Sequence, residues 1–196
     1  MGLKKRVLVL ASGRGSNFCA IADAISLGII PNASIVGVIS NKPEAKVLDH
    51  AKDRNISGFV IESNQYRKHG KLDRNAYEEK LLNLMLSLKP DLICLAGYML
   101  VLGKKIVEAF PRKIINIHPS LLPKFRGLHA QKQALESGDK ITGCTVHWVT
   151  EGLDEGLAIL QAEVPILSGD NEESLSLRML PIEHQTYISA LKLILK

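Results

Sequence analysis

Few cysteines, no long apolar run and no block of like charge characterise this sequence. Its three cysteines, Cys19, Cys94 and Cys144, lie far apart and form no CxxC pair. That excludes a disulfide scaffold and points to reduced thiols in a cytoplasmic protein. No run of about 18 apolar residues occurs, so no membrane span is expected. The charged start leads into only a short apolar stretch, Val7 to Ala11, with no cleavage site behind it, which argues against a signal peptide. The Met1-Gly2 start has Arg6 where myristoylation needs Ser or Thr. Repeats, low-complexity tracts and Gly-, Pro- or Ser-rich linkers are also lacking, so no boundary divides the chain.

What is present is an ordinary soluble balance of 46% apolar and 23% charged residues. The 196 residues are read as one domain, 1–196, large enough to bury roughly 70% of its unfolded surface without disulfide or metal. Lys and Arg outnumber Asp and Glu by 25 to 20, a net charge of +5. The surplus suits small anionic substrates. Lys4-Lys5-Arg6 reads as a solvated start, so neither a nucleic-acid nor a membrane partner is expected.

Short β-branched and leucine-rich runs alternate with helical spacing. Strands are expected at 6–11, 35–39, 58–61, 92–96 and 113–117, and helices at 17–27, 44–54 and 74–88. The last has the clearest stripe, Tyr77, Leu81, Leu84, Met85 and Leu88, and Pro90 ends it. This order predicts an α/β fold, a mainly parallel twisted sheet with helices on both faces. Two antiparallel strands, 142–149 and 157–165, should follow. A C-terminal helix over 171–195 should be kinked or split by Pro181.

The first strand runs into Ser12-Gly-Arg-Gly-Ser-Asn17. Gly13 and Gly15 permit positive φ and close backbone approach, and Ser16 and Asn17 are good helix caps. A strand, glycine turn and helix in this order suit an anion. Phe18 stands where a dinucleotide fingerprint needs its third glycine, and GK[ST] is absent. A single phosphate is the favoured ligand, and a plain βα turn is the competing reading.

The fifth strand ends in Asn116-Ile-His-Pro-Ser-Leu-Leu-Pro123. Asn116 and His118 share a strand face, at the carboxyl end where open α/β sheets bind ligands. An amide donor beside an imidazole can hold an oxyanion and move a proton. A strand-edge histidine satisfied by backbone is the alternative. Leu122-Pro123 is expected to be cis, as turn prolines beside active sites often are. Cys144 and His147 fall on opposite strand faces, which makes a thiol–imidazole pair geometrically poor. No zinc-ligand spacing appears, so no metal is expected. Taken alone, the acidic turn Glu151 to Glu155 would be solvated.

The chain resembles the folate-dependent phosphoribosylglycinamide formyltransferases from residue 6 to about 190. The resemblance rests on Ser12–Asn17, Leu95-Ala-Gly-Tyr-Met99, Asn116–Pro123, Gly127-Leu-His-Ala130, Gly143-Cys-Thr-Val-His147, Leu153-Asp-Glu-Gly156 and Glu183-His184. It implies transfer of a formyl group from 10-formyltetrahydrofolate to the amine of glycinamide ribonucleotide by direct attack. Asn116, His118 and Asp154 would be catalytic: the first two at the oxyanion, Asp154 pairing with His118 and relaying a proton. Gly13, Arg14, Gly15, Ser16, Asn17 and Glu183 would bind the ribonucleotide. Met99, Leu100, Val101, Leu102, Leu153, Asp154 and Asn116 would form the pterin pocket, with Arg74 near the folate tail. His129 and His147 would play supporting roles. On this reading, about 1–110 is the phosphate half and about 111–196 the catalytic and folate half, in a monomer or homodimer.

Leu100, Arg126, Leu157 and Ile188 depart from residues common in that family, which bears on folate affinity and loop rigidity. Methionyl-tRNA formyltransferase and formyltetrahydrofolate hydrolase share the chemistry. The first is expected to carry a C-terminal domain and the second an N-terminal one that this chain has no room for. A phosphate-binding module without catalysis is the non-enzymatic alternative.

Overall fold

The computed structural model describes residues 3–196. Met1 and Gly2, the residues of the myristoylation motif, lie outside them. Strands β1 (Lys5–Leu10), β2 (Ala33–Ser40), β3 (Gly58–Val60), β6 (Leu92–Leu95), β7 (Ile114–His118), β8 (Ile141–Trp148) and β9 (Ala158–Pro165) form one seven-stranded sheet in the order β3-β2-β1-β6-β7-β8-β9. The first five are parallel. β8 and β9 are antiparallel additions, as expected. A small hairpin, β4 (Arg67–Lys68) and β5 (Lys71–Leu72), stands apart.

The parallel strands are apolar on both sides, and their alternation sorts residues between two cores. Val7 and Val9 of β1, Cys94 of β6 and Ile115 of β7 face one core, with residues of α1 (Ser16–Ser26), α2 (Val47–Asp53) and α6 (Glu172–Ile194). Leu8, Leu10, Ile93, Leu95 and Ile114 face the other, against α3 (Arg74–Leu88) and α4 (Lys104–Ala109). The stripe read for α3 buries Tyr77, Leu81 and Met85.

Pro181 neither splits α6 nor shortens it: the helix runs unbroken from Glu172 to Ile194. Proline there cannot donate to the carbonyl of Leu177. Both residues are exposed, so the vacated acceptor lies on the solvent side of the helix. The N-terminus of α6 is secured by a capping box between Asn171 and Ser174, with Arg178 paired to Asp170 below it. Two helices have weak sequence signatures. α4 buries only Ile106, and α5 (Ala130–Ser137) only Ala130 and Ala134, too little apolar surface to make a stripe. Among the described residues no helix is long and apolar enough to cross a membrane.

The chain leaves β3, passes through α3 and returns on the far side of β1 as β6. The loops after β1 and β6 therefore diverge at a topological switch point, where open sheets hold ligands. Ser12 joins them: its amide donates to Gly97 O at 3.0 Å, and its hydroxyl accepts from Met99 N at 2.9 Å.

Tyr187 of α6 ties the helix to this part of the sheet. Its buried hydroxyl donates toward the carbonyls of Leu95 (3.1 Å) and Ile115 (3.3 Å), on adjacent strands. Tyr187→Phe removes the donor and leaves the ring in place. A loss of about 1 kcal/mol is expected in urea unfolding at unchanged m.

Candidate active site

β7 and β8 pair with Asn116 opposite His147 and His118 opposite Thr145. Directly opposed residues place their side chains side by side on one face. The sheet register therefore sets Asn116, His118 and His147 together. The carbonyls of Ile115 and Ile117 lie in the ladder, and those two side chains face the opposite core. Leu122-Pro123 is cis, as expected, in the loop after β7. That loop brings the Phe125 carbonyl to 2.8 Å from His118 Nε2.

Asp154 arrives from the loop between β8 and β9. It is not the solvated residue that an acidic turn in isolation would present, for only 8% of its side chain is exposed. Its Oδ2 lies 3.3 Å from His118 Nδ1 and accepts from Gly127 N at 2.9 Å. Oδ1 is 3.6 Å from His147 Nε2. Asp154 itself has φ +53°, and Phe125 has φ +56°. Left-handed backbone at two non-glycine residues that touch His118 is the kind of local cost found at functional sites.

The two imidazoles have different hydrogen-bond duties. A carbonyl can only accept, so His118 Nε2 carries a proton toward Phe125, and its Nδ1 faces a carboxylate. In His147, Nδ1 donates to Trp148 O at 3.0 Å, which leaves Nε2 as acceptor for the Asn116 amide at 3.2 Å. Burial pushes the His147 pKa down, against the opposing pull of the Trp148 carbonyl and Asp154. The ring is neutral, so its approach to Asp154 is not an ion pair. Neutral His147 fixes the sense of the Asn116 amide and leaves the second amide N–H for a ligand oxygen. His147 thus supports Asn116 directly. The pairs 116/147 and 118/145 follow from the antiparallel register, which the sequence alone does not show.

Asn116, His118, His147 and Asp154 line one end of a cavity of about 600 Å³. Gly97 to Leu102, Leu128 and Leu153 supply most of its apolar wall. Met99 is 61% exposed at the rim, with Val101, Leu128 and Leu153 also exposed. An apolar cleft with a few convergent polar groups is the usual form of a small-molecule site. Met99, Leu100, Val101, Leu102 and Leu153 all reach it. Arg74 does not line it, and donates instead to Val101 O.

The glycine turn adjoins this cavity. Gly15 caps α1 at φ +79°, and a Cβ there would lie 2.7 Å from the Val47 side chain. Gly13 has open space where a side chain would be, so the loop presents bare backbone. The amides of Ser16, Asn17 and Phe18, in the first turn of α1, have no acceptor within the helix. Arg14 is exposed and lines a smaller hollow, about 390 Å³, with Leu180 and the first turns of α6. Glu172 borders both hollows. Glu183 is buried at the foot of the loop, where its Oε2 accepts from Asn17 Nδ2 at 3.1 Å. Burial raises its pKa, and the Asn17 amide and Arg14 charge oppose that rise. Asn17 Oδ1 is buried without a partner.

Cys144 lies in the core on the other side of β8, where its thiol donates to Thr186 Oγ1 at 3.5 Å. Burial pushes its pKa up to about 11, which removes it as a nucleophile. Among the described residues no group of three or more His, Cys, Asp or Glu is placed to hold a metal ion.

An open α/β sheet thus carries a glycine turn, an amide–imidazole–carboxylate group and an apolar cleft at the carboxyl ends of its strands. The formyl transferase family matches residues 5–191, and the chain belongs to that family. It is 45% identical over 194 residues to the trifunctional purine biosynthetic protein adenosine-3 of Drosophila melanogaster, covering 97% of this chain and 14% of that protein. It thus spans only a small part of this relative's length. It is 39% identical over 181 residues to the phosphoribosylglycinamide formyltransferase of Escherichia coli K12, covering 92% of this chain and 82% of that one. The crystal structure of glycinamide ribonucleotide transformylase 1 from Symbiobacterium toebii superposes with a TM-score of 0.92 at 42% identity, over 100% of this chain and 89% of that chain.

Glu183 supplies a test of the site's electrostatics. Its folded pKa lies above the ordinary value of 4.5. Its stabilising, neutral form is therefore fully present below the unfolded pKa and is lost as pH rises through the folded one. Glu183→Gln removes the buried charge and offers an amide donor to Asn17 Oδ1. Tm is expected to rise about 2–4 °C at pH 7.5, the size of ~1 kcal/mol in a chain of this length. The gain should vanish near pH 4, as followed by circular dichroism.

Proposed function

We propose that this protein transfers the formyl group of 10-formyltetrahydrofolate to the amine of glycinamide ribonucleotide, as a step of purine biosynthesis. The observation that carries the reading is Asp154, buried against His118 beside an Asn116 amide whose sense is fixed by His147. The family and the relatives' names support the reaction class. On this reading the partners are two small molecules, and the protein acts in the cytoplasm as a monomer or homodimer.

A folate suits the cavity: apolar residues make most of its wall, and the polar groups gather in the same cleft. Met99 to Leu102 and Leu153 would hold the pterin. Gly13, Arg14, Gly15, Ser16 and Asn17 would take the phosphate on backbone amides and one guanidinium. Glu183 would accept from a ribonucleotide hydroxyl or amine, and Asn17 Oδ1, unpartnered in the free protein, adds a second acceptor.

The reaction forms a C–N bond from the substrate amine to the formyl carbon and breaks the bond from that carbon to the folate N10. One proton leaves the amine and one reaches N10. Asn116, through its free N–H, and His118 stabilise the negative charge that develops on the formyl oxygen. His118 turns toward that oxygen by exchanging its bond to Phe125. Asp154 stays paired with the imidazolium and relays the proton, by way of water, from the amine toward N10. The apolar wall excludes bulk water, which strengthens each of these interactions.

Asn116→Ala and Asp154→Asn are each expected to lower kcat about 10²–10³-fold with unchanged circular dichroism. The decisive assay follows folate absorbance with and without ribonucleotide. Turnover that requires the ribonucleotide supports the transferase. Turnover without it supports a hydrolase instead, and none in either case supports a tRNA acceptor or a binding module.

A further inference from the structure

β7, β8 and β9 pair with His118 opposite Thr145 and Thr145 opposite Gln161. Directly opposed residues point to the same face, so the three side chains form a polar row across the sheet. The row begins at the buried histidine of the site and ends on the last strand at Gln161, which is exposed. Thr145 Oγ1 donates to Ser120 O at 2.7 Å and accepts from Leu122 N at 3.0 Å and from Gln161 Nε2 at 2.8 Å. A hydroxyl has one hydrogen and two lone pairs, so this one is fully used. Gln161 Nε2 also donates to Leu122 O at 2.9 Å, which commits both of its amide hydrogens. Within the loop after β7, Ser120 Oγ donates to Lys124 O at 2.5 Å, and Lys124 N donates to Leu121 O at 3.1 Å. The residues that follow are those that meet the site: Phe125 O faces His118 Nε2, and Gly127 N donates to Asp154.

We propose that Gln161 is a positioning residue for His118 and Asp154. Its carboxamide ties Leu122 to the sheet and completes the hydrogen bonding of Thr145. The loop so fixed sets the Phe125 carbonyl at His118 and the Gly127 amide at Asp154. The proposal rests on the transferase reading of the site. Gln161 borders neither hollow, so it acts on the site only through the loop. Its task needs reach and donors: a carboxylate in its place would set an acceptor against the Leu122 carbonyl, and leucine would leave that carbonyl to solvent. Displacement of a catalytic group by a fraction of an ångström is costly to the chemical step. Loss of the tie therefore lowers kcat and leaves the ribonucleotide KM as it is.

Two measurements on the full chain test this. The first needs no ligand: hydrogen exchange of peptides over 119–127 in wild type and Gln161→Leu. Exchange is expected to rise about tenfold there and to stay unchanged in β1 and α3. Unchanged exchange over 119–127 overturns the tie. The second is formyl transfer from 10-formyl-5,8-dideazafolate to glycinamide ribonucleotide. Gln161→Leu and Gln161→Glu should each lower kcat about tenfold at unchanged ribonucleotide KM and unchanged circular dichroism. Gln161→Lys keeps the reach and the donors and should recover most of that loss. Wild-type kcat in Gln161→Leu and Gln161→Glu, or a loss in Gln161→Lys equal to that in Gln161→Leu, overturns the positioning role. Failure of wild type to transfer the formyl group refutes the transferase reading and leaves the exchange measurement to decide the tie.

Discussion

The carboxylate of Asp154 lies between two imidazoles and the amide of Gly127, and it is withdrawn from solvent. A buried carboxylate without partners is costly, so each element that meets it is constrained. The β8–β9 connection must turn into left-handed backbone at Asp154 to deliver it. The loop after β7 must bring Gly127 N within 2.9 Å. β7 and β8 must keep the register that sets Asn116 against His147. A slip of one residue would turn Asn116, His118 and His147 into the opposite core.

That register depends in turn on packing far from the site. The side chains that alternate with Asn116 and His118 are Ile115 and Ile117, and they are committed to the core with α1 and α6. Tyr187 of α6 reaches through this core to the carbonyls of β6 and β7. The polar face of β7 is thus fixed because its apolar face has one place to go. The two ligand loops are secured in a similar way, through Ser12, a residue of the glycine turn whose own side chain is spent on the neighbouring loop.

Most of the fold was legible because its elements carry strong periodic signals. The strands that face two cores read as short apolar runs, and α3 declares itself by its stripe. α4 and α5 were not legible, since each buries one or two side chains, some no larger than alanine. Pro181 was expected to kink or split α6 and does not split it; the residue that loses its backbone partner, Leu177, is on the exposed face. Asn116 and His118 were legible as a strand-end pair. Asp154 was not: an acidic turn looks solvated until the fold folds it inward, and the family resemblance alone singled it out. The place of His147 shows the same limit, since only the cross-strand register sets it against Asn116.

His118 and His147 face the same carboxylate and have opposite tasks, and the difference comes from where each ring's other nitrogen is bound. His118 gives Nε2 to a loop carbonyl, which leaves Nδ1 facing Asp154. The Phe125 carbonyl belongs to a loop with left-handed backbone and not to the sheet. His147 gives Nδ1 to Trp148 O, a strand carbonyl that does not move, so its Nε2 is held as an acceptor. The second ring is held as a support for Asn116. Its Nε2 also lies 3.6 Å from Asp154, whose charge pulls its pKa up against the larger effect of burial. Burial of His147, which keeps it neutral, is for this reason as much a part of the site's chemistry as the exposure of the cleft above it.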